Sequence, residues 1–203
     1  MNTTSRQIEG YDYGSPSLEA SPVTLHELEL LKQTVGWSSD DEKYLRLAGE
    51  VLAEQARVIV DHWRLQIISN IPHLARHSKT PEGEPLPDYA ARSGARFEQW
   101  IRDTCLRAYD QDWLNYQHQI ALRHMEQKKN LTDGVRSTAF VPLRYIIAFI
   151  PVMNETIKGY LAAKGHSAMD IEKMHLAWCK SLQLQMSLWT RSYMEPKSTH
   201  LQW

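Results

Sequence analysis

The chain has 203 residues, with 23 lysines and arginines against 24 aspartates and glutamates, for a net charge of −1. Hydrophobic residues make up 42% and charged residues 23%, the usage of an ordinary globular chain, which excludes wholesale disorder and a fibrous repeat. No basic surplus points to nucleic acid or to an anionic membrane surface.

The length suits one domain, divided here into an irregular arm over 1–23, a helical domain over 24–194 and a short tail over 195–203. Gly10, Gly14, Pro16 and Pro22 interrupt any periodicity in the arm. The arm carries no secretory apolar region, so a cytoplasmic location is expected. Thr24-Leu-His-Glu27 reads as a capping box that opens a short helix closed by Gly36. Ser39-Asp-Asp-Glu42 reads as a second box, opening about 30 proline-free residues. Tyr44, Leu47, Val51, Ala56, Ile59, Trp63 and Ile67 recur there at helical spacing, with Gly49 a candidate bend.

Four prolines, Pro72, Pro81, Pro85 and Pro87, predict a loop over 72–87. Asp88 is the expected N-cap of a helix over 88–105 whose inward face carries Tyr89, Arg96, Phe97 and Trp100. Asp110 caps a helix expected to run to about residue 128. Its stripe is Trp113, Tyr116, Ile120 and His124, with Lys128 and Lys129 at the surface. A further helix spans about 142–164 and stops at Gly165. Its apolar run, Tyr145 to Met153, is too short for a membrane span, which needs about 20 residues. Ser167 caps a last long helix with Ile171, Met174, Trp178, Leu182, Gln185 and Trp189 on one face. No alternating strand pattern occurs, so the class is all-α with six to eight helices.

Nucleophilic and phosphate-binding motifs are missing: there is no GxSxG, HExxH, Walker or GxGxxG pattern. Asp61-His62 reads as solvated surface charge, neither it nor Asp170 with His175 reads as a catalytic pair, and His73 with His77 reads as a structural or surface pair. Cys105 and Cys179 are the only cysteines and read as reduced thiols. His124 differs in kind, since it continues an apolar stripe. It is either a core histidine satisfied by a backbone carbonyl or a single axial ligand to a haem iron. Trp63, Phe97 and Phe149 lie on the inward faces of three further helices. Four helices can therefore each present a large group to one flat void, which is the globin arrangement around haem.

These residues resemble the protoglobins, single-domain haem globins related to globin-coupled sensors. The likeness runs from about Gly10 to Tyr193. It is carried by Gly10-Tyr-Asp-Tyr-Gly14, Arg96-Phe97, Trp100-Ile101, Tyr109-Asp110, Trp113-Leu114, Leu122-Arg-His124, Lys128-Lys-Asn130, Arg144-Tyr145, Ala148-Phe149-Ile150, Lys164-Gly165, Ala177-Trp178 and Leu188-Trp189. The resemblance implies a globin fold with an N-terminal extension and an extra leading helix. It also implies haem b and reversible binding of O2, CO or NO. In that reading His124 is the axial ligand. Trp63 and Phe97 lie on the gas side, Phe149 faces the porphyrin, and Tyr116 and Ile120 line the site beside His124. Arg96 is a candidate partner for a haem propionate.

The chain departs from the family pattern at Arg64, where Tyr is usual, and at Met125, where a second His is common. Arg64 is expected to reach a propionate or solvent. Ser93 stands where many globins carry a distal histidine. The family also implies a homodimer through the last two long helices, for which Leu176, Leu184 and Leu188 offer apolar surface. A gas sensor acting through a separate partner, or a peroxidase-like or NO-detoxifying enzyme, are the rival readings.

Overall fold

The computed structural model describes residues 7–194; the tail expected over 195–203 lies outside the described residues. The described residues form eight α-helices joined by short π and 3₁₀ turns, with no strand among them. Residues 7–23 contain no helix.

Helix α1, Leu25–Thr34, begins with the expected box: Thr24 accepts from the Glu27 amide and Glu27 accepts from the Thr24 amide. Helix α2, Ser39–Leu52, is capped one residue earlier than expected. The box joins Ser38 and Asp41, because the buried Asp41 carboxylate also holds Lys180, 2.9 Å away on the last helix. The long stretch does break, but not at Gly49. Gly49 lies inside α2, where a Cβ would meet the Leu106 and Cys105 side chains at 2.5–2.8 Å. The break falls at residues 53–55. There the Gln55 side-chain amide donates to the Val51 carbonyl, the group a continuing helix would use, and also to the Tyr160 carbonyl.

Helix α3, Ala56–Asp61, widens into a π turn, His62–Ile67, and tightens into a 3₁₀ turn, Ile68–Asn70. The proline-rich stretch is more ordered than a loop. Pro72 starts a one-turn helix α4, Pro72–Ala75, as proline does well where its missing N–H would be unpaired, and a 3₁₀ turn, Arg76–Ser78, follows. Helix α5, Pro87–Leu106, likewise starts on a proline. Asp88 sits in its first turn instead of capping it.

Helix α6, Gln111–His124, has the expected Asp110 cap but ends at His124, four residues short of the expected 128. The Val141 amide returns to take the His124 carbonyl at 2.7 Å, and turns replace the helix. Those turns carry Lys129 inward: it is 2% exposed, against the expected surface position. Helix α7, Leu143–Leu161, contains Pro151, and Gly165 closes the following turn at φ +73°. Helix α8, Ala168–Tyr193, starts at the expected Ser167 cap.

Helix α8 packs against α2, α6 and α7, while α5 packs against α2 and α3. Trp63, Trp113 and Trp178 are wholly buried. Leu184 and Leu188, offered above as dimer surface, are buried within the chain; Leu176 alone of the three is exposed. Among the described residues no helix is long and apolar enough to cross a membrane.

Candidate functional site

Helices α5, α6, α7 and α8 do not close on each other completely. They leave a cavity of about 300 Å³. Seven of the eight residues singled out in the sequence line it: Arg64, Arg96, Phe97, Tyr116, Ile120, His124 and Phe149. Trp63 does not. It is wholly buried behind Phe97, with ring centroids 5.4 Å apart, and its indole donates to Thr156 Oγ1 at 2.8 Å. An unbroken helical period points Trp63 at the void, whereas the break at 53–55 and the wide turn at 62–67 reset which side chain faces it. Arg64 faces it instead.

His124 closes α6. Its Nδ1 lies 2.9 Å from the Ile120 carbonyl. A carbonyl only accepts, so Nδ1 carries the proton and Nε2 keeps its lone pair. Nε2 has no hydrogen-bond partner among the described residues, on a ring that lines the cavity and stacks on Trp189 at 5.5 Å. Burial pushes the imidazole down from 6.5 to about 4, so the ring is neutral near pH 7. The two readings of His124 thus divide between its nitrogens: one is satisfied by backbone and the other is free to bind.

The polar side of the cavity is cationic. Arg64, Arg96, Arg123 and Lys129 line it, and Asp133 is the one carboxylate among the lining residues. Arg96 is committed to Asp133 through bonds of 2.5 and 3.1 Å, and also donates to the Glu9 carbonyl. Arg92 adds a third bond to the same carboxylate. Arg123 pairs with Asp12 at 2.7 Å and donates to Tyr116 and to the Gly10 carbonyl. Arg64, far from snorkelling to solvent, is tied to α5 through the Ala90 carbonyl and Ser93 Oγ.

Lys129 donates to the His77 carbonyl and lies over the Tyr89 ring at 5.7 Å. Burial lowers its ammonium from 10.5 to about 8. Nothing in the sequence pattern points to Tyr145, Asp133 or Lys129 as site residues. Lys129 and Asp133 lie in turns, where no periodicity reveals facing.

A bare metal ion has no home here: among the described residues no three His, Cys, Asp or Glu side chains converge. A single imidazole lone pair suits a metal that brings its other ligands with it, as haem iron does. The apolar walls of Phe97, Phe149, Ile120 and Ile150 suit a porphyrin face, and the cations suit its carboxylates. The residues present therefore fit the group. A family model described as Protoglobin matches residues 24–199, nearly the whole chain. No curated protein matches it.

Proposed function

The chain belongs to the protoglobin family, with its all-helical globin fold and haem cofactor, and on that premise we propose that it binds haem b through His124 and ligates O2, CO or NO reversibly. The observation that carries this reading is the His124 tautomer: the Ile120 carbonyl fixes the proton on Nδ1 and leaves Nε2 as an iron ligand. Neither Cys105 nor Cys179 lines the cavity, which supports a non-covalently held haem.

When bound, haem supplies an open coordination position for a diatomic gas. The residues do the rest. His124 orients the porphyrin and, being held neutral, stays available as a ligand near pH 7. Trp189 stacks on the imidazole and limits its rotation. Phe97 and Phe149 keep the pocket apolar, which retards water entry and iron oxidation. Trp63 acts from behind, holding Phe97 in place. Pairing of two chains through α7 and α8, in the cytoplasm, completes the proposal; Ile147, Met169 and Leu176 are exposed apolar side chains that support such an interface.

The test is an absorption spectrum of purified protein supplied with hemin, oxidised, reduced, and reduced with carbon monoxide. A Soret band that shifts with carbon monoxide and is lost or strongly altered in His124→Ala is expected. No Soret band in the wild type, or an unchanged ferrous carbonyl spectrum in the variant, overturns it.

A further inference from the structure

Two of the four cations around the cavity are ion-paired with carboxylates and two are not. Asp133 answers Arg96, and Asp12 answers Arg123. Lys129, 2% exposed, meets only the neutral His77 carbonyl and the face of Tyr89. Arg64 hydrogen-bonds only to the neutral Ala90 carbonyl and Ser93 Oγ; Asp61 attracts it through space but forms no ion pair with it. Both border Tyr89 on the first turn of α5: Lys129 lies over its ring, and Arg64 bonds Ala90, the next residue. Taking a cation out of water without a bonded counter-ion is unfavourable, so two cations that lack one at the same cavity wall call for an anion.

We propose that Arg64 and Lys129, both beside the first turn of α5, form a carboxylate-binding corner of the cavity. Under the haem reading above, on which this inference rests, the carboxylate is a propionate arm, and the anchor is this pair and not Arg96. The planar guanidinium gives a two-pronged contact and the ammonium a point charge, a pairing suited to one carboxylate. Arg96 is unsuited because its fork is already filled by Asp133. A free carboxylate is the other possible source of the same chemistry.

The experiment compares wild type, Lys129→Met and Arg64→Met, each loaded with hemin and with hemin dimethyl ester, whose carboxylates are blocked. Loss to an excess of a haem scavenger is followed by absorbance. Hemin should leave each variant at least tenfold faster than wild type, while the ester should leave all three at similar rates. Thermal unfolding of the apo proteins supplies a second readout. Lys129→Met should melt higher than wild type, because an uncompensated buried charge is gone; a merely structural lysine would lower it. Succinate added to apo wild type distinguishes the source. A rise in melting temperature that both variants lack, with equal hemin loss in all three proteins, assigns the corner to a free carboxylate. Equal hemin loss with no succinate effect overturns the corner while leaving the haem reading intact. Failure of wild type to take up hemin overturns that reading instead, and the succinate arm still decides the corner.

Discussion

Arg96 and Asp133, 37 residues apart, meet through two guanidinium–carboxylate bonds of 2.5 and 3.1 Å, with side chains only 10% and 2% exposed. The pair joins the middle of α5 to the turn after α6, so it fixes one wall of the cavity to another. Asp133→Ala would leave Arg96 without its carboxylate and Arg92 with only the exposed Glu9. Breaking a buried pair from one side costs about 3–5 kcal/mol. Urea unfolding should show that loss, and Arg96→Met in the same background should recover part of it. A change under about 1 kcal/mol for Asp133→Ala would show that the pair is effectively solvated.

Gly49 on α2 packs against the Cys105 and Leu106 side chains at the end of α5. Gly49→Ala gains about 1 kcal/mol in helix propensity but drives a methyl into Cys105 and Leu106. Overpacking of this kind costs about 1–3 kcal/mol, so a net loss is expected in the melting temperature. A more stable variant would mean that α5 yields freely.

Trp63 and Phe97 touch but should behave differently. Trp63→Phe removes the indole bond to Thr156 from a fully buried site, so stability should fall by about 1–3 kcal/mol. Hemin loss should change by no more than about twofold, since Trp63 does not line the cavity. Phe97→Ala opens the cavity wall itself and should speed hemin loss by about tenfold or more. Equal effects of the two changes on hemin loss would place Trp63 in direct contact after all.

His124 and His77 are both held by burial at about 4, below the ordinary 6.5. The folded apo protein therefore binds fewer protons than the unfolded chain between these values. Its stability is full above 6.5 and falls as the pH drops toward 4, each histidine contributing at most about 1.4 kcal/mol per pH unit. His77→Gln should flatten the profile of apo stability between pH 6 and 4. An identical profile would remove His77 from the acid response.

What the sequence showed and what it hid follows from periodicity. His124 was legible because α6 is regular from Asp110 onward, so Trp113, Tyr116 and Ile120 predict where the next turn points. Trp63 is the residue an unbroken period misplaces, because two local breaks separate it from the capping box that sets the phase. One is a side-chain amide at Gln55 and the other a π turn. Lys129 was hidden for another reason. A helix continued to 128 leaves it on the surface, and only the return of Val141 to the His124 carbonyl stops the helix early enough to fold it inward. The Arg96 partner was out of reach because ion pairs between a helix and a turn leave no spacing signature.

The leading arm has a consequence for the order of assembly. Arg96 of α5 holds the Glu9 carbonyl and Arg123 of α6 holds the Gly10 carbonyl, spanning 87 and 113 positions of chain. Neither grip exists until both helices stand in their native places. The arm is thus a latch that can engage only on a finished frame, and loop-closure entropy puts it last. In pulse-labelled refolding the Tyr11 amide, bonded to the Ile8 carbonyl within that latch, should gain protection after the amides of α5 and α6; earlier protection would mean that the arm holds its shape unaided.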